Sequence, residues 1–171
     1  MNPCDLAVLA RYNAWANQRL YSFAQQLPAE EITRPRAAAF FGSLLGTLNH
    51  LYVGDTLWLA RIQGRAAPEG WGLDYQAFDR LDELWPARQE LDRRIIAVAA
   101  AQDAPGLDRI LRYTTSTGAA QETRLNEVFI HLFNHQTHHR GQAHALLSDS
   151  GQTPPPLDLI FQLRELDRTD G

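Results

Sequence analysis

The amino-acid sequence predicts an all-α protein built as a four-helix bundle. Four long segments carry apolar residues spaced by three and four, which is the period of a helix with one buried face. Prolines and glycines separate these segments, and both residues commonly end helices. One short stretch has the β-branched composition of a strand. Four long helices with modest connections are typical of a helical bundle.

The predicted helices follow one another along the whole chain. They cover residues 5–26, 41–63, 76–101 and 119–148. Leu27-Pro28, Gly64 and Gly151 stand where three of them end. Pro86 interrupts the third segment and predicts either a kink or a helix that starts there, because proline lacks the backbone donor that a helix interior needs.

The connections are less regular than the helices. Residues 64–75 are rich in glycine and predict a loop, while residues 107–118 form the one credible extended stretch. The tail at 152–166 has three consecutive prolines and then a short apolar turn, which we expect to pack back on the bundle. The spacing shows no internal repeat, so we expect a single domain over residues 1–171.

Composition excludes several classes of protein. The chain has 171 residues, 44% of them apolar, and 16 basic against 20 acidic residues give a net charge of −4. No cluster of basic residues stands out, which argues against nucleic-acid binding. Cys4 has no second cysteine to pair with, which fits a reducing compartment. The N-terminus has no signal-peptide pattern and no stretch reaches 18 apolar residues, so we expect a cytoplasmic protein without membrane contact.

Histidines are concentrated in the fourth predicted helix. His131, His135 and His139 follow one another at one-turn intervals, and residues four apart on a helix lie about 40° and about 6 Å apart. Two such imidazoles can bind one metal ion, as in zinc helices with paired histidines. The alternative is that these are hydrogen-bonded histidines of the core. Spacing alone supports the metal site and this alternative about equally.

The apolar pattern favours one pair over the other. The positions spaced by three and four include Leu125, Val128, Leu132, His135, His139, Gln142 and Leu146. This pattern predicts that His135 and His139 lie on the buried face, with His131 and His144 near its edges and His138 outside it. We therefore expect His138 and His144 to be surface or supporting residues.

A third ligand has to come from another helix, because two histidines under-coordinate a zinc-like ion. His50 is the one histidine outside the fourth helix and lies in the middle of the second. This helix is apolar on two faces. His50 lies on the same face as Gly46 and Val53 and is not part of the other, broader apolar face. We expect the His50 face, with small Gly46 and Gly54, to face the site. Three neutral imidazoles with open positions are typical of a catalytic metal centre.

Four segments resemble the DinB-like (DinB/YfiT) family of metalloenzymes. They are YNAWANQRL at 12–20, FFGSLLGTLNHLYVGDTLWLARI at 40–62, HLFNHQTHHRGQAHALL at 131–147 and LDLIFQLRE at 157–165. The resemblance implies a four-helix bundle with a long crossover connection, a homodimer, and a divalent metal on His50, His135 and His139. The resemblance leaves the identity of the metal open among zinc, nickel and manganese. It implies no DNA chemistry.

The leading hypothesis is an enzyme that acts on an unknown small molecule. Its metal would activate water or a substrate thiol, as a hydrolase or a thiol S-transferase does. The rival is a non-catalytic metal- or ligand-binding protein of a stress response, and a third hypothesis has a metal-free network of buried histidines. Cys4 is not expected to be a nucleophile. The catalytic residues and general base stay open.

Neighbouring residues have two interpretations each. Asn134 and Gln142 either orient imidazoles or are ordinary amides. Arg140 either binds an anionic group or forms a surface ion pair, and Gly141 permits close helix contact. Asp55 either supports the site or pairs with an arginine, and the ion pair is favoured. The aromatic and polar residues that complete the set are core or pocket-wall candidates: Tyr12, Trp15, Asn17, Trp58, Trp71 and Tyr113.

Overall fold

The protein is mostly helical in a computed structural model that describes residues 1–115 and 117–169. Within these residues the chain forms seven helices and one two-stranded sheet. The helices are α1 (Pro3–Ala24), α2 (Ala29–Thr33), α3 (Leu44–Ile62), α4 (Leu81–Ala100), α5 (Ala104–Asp108), α6 (Leu125–Ser148) and α7 (Leu159–Thr169). The strands are β1 (Ile110–Thr114) and β2 (Ala120–Arg124). The predicted domain at 1–171 includes Ser116, Asp170 and Gly171, which lie outside the described residues.

Local sequence explains where the long helices begin. Asn2 caps α1 by accepting a hydrogen bond from the Asp5 backbone, and the Asp5 carboxylate accepts one from the Asn2 backbone. This reciprocal pair satisfies two amide donors that a helix N-terminus otherwise leaves free. Ser43 caps α3 by accepting from the Gly46 amide. Pro86 lies inside α4, which begins five residues earlier at Leu81; of the two predicted alternatives, a helix that starts at Pro86 is therefore wrong.

The four long helices contact one another in pairs. α1 packs against α4 and α6, and α3 packs against the same two helices. Two apolar clusters form the core. The first lies around Leu6, Leu59 and Leu132, and the second around Leu20, Leu48 and Leu147. Burial of these side chains is the main source of stability.

A layer of buried polar side chains lies between the two apolar clusters in every long helix. We call it the polar layer, and it comprises Asn13, Asn17, Asp55, Arg88, Asp92, Gln136 and Arg140. Arg88 donates to Asp55 at 2.8 Å and to Asp92 at 2.6 Å, and Arg140 donates to Asn13 at 2.6 Å. The bonds from Arg88 to Asp55 and from Arg140 to Asn13 join different helices. Asn17 on α1 also donates to Asp92 on α4 at 3.1 Å, so the polar layer links all four long helices.

The fourth predicted helix begins later than expected. Residues 119–124 were predicted as helix, but Ala120–Arg124 is strand β2, paired antiparallel with β1 so that Ile110 faces Arg124 and Thr114 faces Ala120. Residues 119–124 carry no large apolar side chain, so a helical extension would bury little, whereas pairing satisfies the backbone. Gly118, with a φ of 86°, makes the turn in a conformation that suits glycine. The all-α prediction is confirmed apart from this hairpin.

Two other helices differ in extent from the prediction. The C-terminal apolar segment is the 11-residue helix α7 rather than a short turn, and it contacts α1. The third predicted helix started at residue 76, but α4 begins at Leu81. Among the described residues, no helix combines the length and apolar character that crossing a membrane requires.

Candidate metal centre

Three histidines from two packed helices meet at one point. His50 lies in the middle of α3, and His135 and His139 lie one turn apart in α6. The Nε2 atom of His50 is 3.1 Å from Nε2 of His135 and 3.2 Å from Nε2 of His139. All three ligand atoms lie within 4.8 Å of one another. His50 is buried and the two α6 histidines are half-buried.

Hydrogen bonds determine which ring nitrogen carries the proton. His50 Nδ1 lies 2.7 Å from the Leu73 carbonyl oxygen, which only accepts, so His50 is protonated at Nδ1. His139 Nδ1 likewise donates to Gln142 Oε1 at 2.8 Å. A neutral imidazole with a proton on Nδ1 presents a lone pair at Nε2. Two lone pairs, on His50 and His139, therefore face each other at 3.2 Å, an arrangement that a cation between them would stabilise.

The nitrogen separations match a single coordinated ion. Imidazole nitrogens bind zinc at about 2.0–2.1 Å, so two of them on one ion lie about 2.9–3.4 Å apart for bond angles between octahedral and tetrahedral. The observed 3.1 Å and 3.2 Å fall in that range. His135 Nδ1 is buried and has no hydrogen-bond partner among the described residues. The three residues fit a divalent ion of the transition series, for which imidazole is a preferred ligand.

Two small residues shape the space for these rings. A Cβ atom on Gly54 would lie 3.0 Å from Cε1 of His135, so the absence of a side chain lets that ring lie against α3. A Cβ atom on Gly46 would lie 2.0 Å from the Phe41 carbonyl oxygen. Phe41 can therefore pass close to the helix, where its ring stacks on His50 with centroids 3.9 Å apart. The stacked ring restricts His50 to one orientation.

Burial keeps the three imidazoles neutral. It lowers the pKa of His135 to about 3, and the neighbouring histidines add to this effect. Burial also lowers the pKa of His50 and of His139, although the hydrogen bonds to Leu73 and Gln142 oppose it. Since only a neutral imidazole can bind a metal, the site is prepared for ligation at neutral pH.

The other histidines lie outside this cluster. His131 is exposed and contacts Trp58 edge to face with centroids 5.0 Å apart. His138 is exposed and lies 3.3 Å from the Gln142 amide. His144 lies 3.1 Å from the Pro155 carbonyl. The structure thus brings together the pair at 135 and 139 rather than the pair at 131 and 135.

The predicted buried face of α6 is displaced from the observed one. Gln136, Arg140 and Ala143 form the middle of the buried face, and His135 and His139 lie beside it, half-buried. The pattern missed this because Gln136 and Arg140 are polar, and apolar spacing gives no sign of a buried polar layer. The shift leaves one side of the histidine cluster close to solvent.

Of the residues expected to support the histidines, Gln142 contacts one of them, and Arg140 and Asp55 belong to the polar layer instead. Gln142 makes the hydrogen bond to His139 that an orienting role requires, whereas Asn134 is exposed. Arg140 is not a surface ion pair, so that interpretation is wrong, but it lines a cavity with Tyr12 and His144, and binding of an anionic group there stays a prediction. Arg140 is 2% exposed and donates into the polar layer. Asp55 forms the ion pair with Arg88, as favoured. Burial raises the Asp55 pKa, and Arg88 opposes this effect.

The aromatic candidates have separate tasks. Tyr12 donates to the Leu157 carbonyl at 2.7 Å, and the Trp15 indole donates to Glu165 at 2.7 Å, so both attach the C-terminal tail to α1. Asn17 belongs to the polar layer. Sequence reasoning missed Leu73 and Phe41 as residues that orient His50. A loop carbonyl carries no sequence signature, and Phe41 would have required knowledge of its stacking partner.

Known proteins resemble the chain over most of its length. The sequence model of the DinB family matches residues 1–168. The Protein DinB of Bacillus subtilis (strain 168) is 27% identical over 155 residues, which cover 88% of this chain and 88% of that protein.

Two solved structures share the fold. A DinB-like protein from Bacillus cereus ATCC 10987 superimposes with a TM-score of 0.63 at 18% identity, covering 82% of this chain and 89% of that one. A DinB-like protein from Bacillus subtilis gives a TM-score of 0.63 at 14% identity, covering 86% of this chain and 95% of that one. At these identities the likeness concerns the fold.

Proposed function

The chain belongs to the DinB family, and from this premise and the histidine geometry we propose that it is a metal-dependent enzyme. His50, His135 and His139 bind one divalent ion through their Nε2 atoms. The observation that supports this most strongly is the convergence of the Nε2 atoms at 3.1 Å and 3.2 Å. Hydrogen bonds on Nδ1 of His50 and His139 direct their lone pairs inward.

The proposed reaction is hydrolysis or transfer of a thiol. A divalent ion on three imidazoles supplies Lewis acidity, which makes water or a thiol a better nucleophile near neutral pH. The protein residues hold the site in place: Leu73 and Gln142 orient two of the rings, and Phe41 covers His50. Three protein ligands leave a position for a substrate, and the half-buried pair on α6 gives access from solvent.

Metal analysis of protein purified without a histidine tag tests the proposal. We expect about one zinc, nickel or manganese ion per chain in the wild type and almost none in His135→Ala. The matched control is His144→Ala, because His144 lies in the same helix and its ring nitrogen lies 3.1 Å from the Pro155 carbonyl, outside the cluster. It should retain the full amount of metal. Equal metal content in both variants, or none in the wild type, would contradict the proposal.

The composition of the bound ion's coordination shell separates catalysis from a purely binding role. Exchangeable water detected in the shell of the bound ion would support an enzyme. A coordination shell saturated by protein would instead support a non-catalytic metal-binding protein.

We also propose a homodimer in the cytoplasm, which sedimentation of the purified chain and fractionation of cells would test.

A further inference from the structure

A cavity of about 550 Å³ lies between the C-terminal part of α3, the loop after it and strand β1. Three arginines line it: Arg61, Arg65 and Arg112. The rings of Trp71 and Tyr113 form part of its wall. This volume suits a small organic molecule, since ligand pockets commonly measure about 300–1,000 Å³.

The charge in this cavity is not neutralised by the protein. Arg112 pairs with Glu122 at 2.6 Å. In the part of the chain that the structure describes, the Arg61 and Arg65 guanidinium groups have no carboxylate within ion-pair distance, and no acidic residue lines the cavity. The whole chain carries a net charge of −4, so two unpaired cations in one concave site indicate a place for an anion.

The guanidinium of Arg61 is held ready for such a group. It lies over the Trp58 ring at 4.6 Å and over the Tyr113 ring at 5.2 Å. Aromatic contacts on a guanidinium restrict its motion while leaving its N–H donors available, and those donors match a carboxylate or phosphate in pairs. Less conformational entropy is then lost when an oxyanion binds.

The same rings lead from the cavity to the histidine cluster. The ring centroids of Trp58 and His131 are 5.0 Å apart, and those of His131 and His135 are 5.7 Å apart. On α3, Gly54 faces the His135 ring, and Arg61 follows two turns later. Seven residues of helix rise about 10 Å, so the backbone of Arg61 lies about this far along α3 from the point that faces His135.

We propose that Arg61 and Arg65 bind the carboxylate or phosphate of the small organic acid whose other end reacts at the histidine cluster. This inference rests on the proposed function and adds the substrate class. The oxyanion is held at the end of α3, and Trp71 and Tyr113 flank the middle of the molecule. The distance between Arg61 and the cluster selects for length.

Calorimetric titration with phenyl phosphate and with benzoate tests the inference on metal-free protein. Phenyl phosphate and benzoate carry the two kinds of oxyanion next to a planar ring. We expect binding of at least one probe at about millimolar concentration. Its dissociation constant should rise at least about tenfold in Arg61→Met and about threefold in Arg65→Met. Arg61→Lys should also bind more weakly than the wild type, because an ammonium keeps the charge but loses the paired donors and the stacking on the rings.

The matched control is Arg11→Met, which removes the same charge from an exposed position on α1. It should change the dissociation constant less than about twofold. Arg65 is exposed and has no side-chain partner in the described residues, so its variant folds even if loss of the Arg61 ring contacts destabilises the protein. Equal affinities in Arg65→Met and Arg11→Met, or no binding of either probe to the wild type, would overturn the inference.

The two proposals fail separately. If the wild type contains no metal but the probe binds through Arg61, the enzyme proposal is wrong and the anion site stands. If metal binds to the three histidines but the arginine variants bind the probe like Arg11→Met, the metal site stands and the substrate class is wrong. Metal content measured in Arg61→Met should equal that of the wild type.

Discussion

Replacement of Gly54 by alanine is a sharp test of the histidine geometry. The new Cβ atom would lie 3.0 Å from Cε1 of His135 and 3.7 Å from its Nδ1. Carbon atoms in contact are ordinarily about 3.5 Å or more apart, so the ring has to move by about 0.5 Å. Ligand positions in a metal site tolerate about 0.2 Å. We expect the metal dissociation constant to rise about ten- to a hundredfold, as it does when groups that orient ligands are lost.

Gly141→Ala is the matched control for this substitution. Gly141 lies in the same helix as His135. Apart from its chain neighbours and the backbone of its own helix, no heavy atom of the described residues would lie within 4 Å of a Cβ atom there. Both substitutions gain helix propensity of about 0.8–1.0 kcal/mol. In Gly141→Ala this gain should appear as added unfolding free energy, whereas in Gly54→Ala the contact with His135 offsets part of it.

Competition with a fluorescent chelator measures the metal affinity, and urea unfolding of the metal-free protein measures stability. Equal metal affinities of Gly54→Ala and Gly141→Ala would contradict the predicted displacement of the His135 ring. Equal gains in unfolding free energy would contradict it as well, because the contact at 3.0 Å would then have no effect.

Two other predictions concern the polar layer and acidic pH. Arg88→Met should lower the unfolding free energy by about 3–5 kcal/mol, because it leaves the buried carboxylates of Asp55 and Asp92 without their cation. Arg93→Met removes an exposed ion pair and should cost less than about 1 kcal/mol, and similar losses in urea unfolding would contradict the difference. In metal-free protein, stability should fall as the pH drops from about 6.5 towards 3, since the unfolded state takes up a proton on His135 before the folded state does. The melting temperature should therefore depend less steeply on pH in His135→Gln than in the wild type. An unchanged dependence on pH would contradict the assignment to His135.

The helical segments could be predicted because their signals are local. Apolar spacing, the proline and glycine breaks and the capping residues all act within a few neighbours. α1 and α3 therefore lie close to their predicted positions, and α6 ends at Ser148 as predicted. The strand β2 was missed because its pairing with β1 depends on a turn at Gly118 and on contacts across the hairpin. Propensity within Ala120–Arg124 carries no such information.

The candidate site divides in the same way. His135 and His139 are four residues apart in one helix, so their proximity follows from helical geometry and is present in the sequence itself. His50 is 85 residues from His135, and its inclusion rested on the resemblance to a family. The buried charges of Arg88 and Arg140 were not predicted as buried, because burial of a charge depends on partners supplied by other helices.

The sequence by itself determined the long helices and the pair of histidines on one helix face. The tertiary structure decided which third histidine joins that pair, which ring nitrogens face inward, and where unpaired arginines stand relative to the cluster. The physical reason is the distance along the chain over which each interaction acts. Helical spacing is a property of neighbouring residues, whereas the 3.1 Å between His50 and His135, and the hydrogen bond from His50 to the Leu73 carbonyl, exist only once α3, α6 and the intervening loop have packed together.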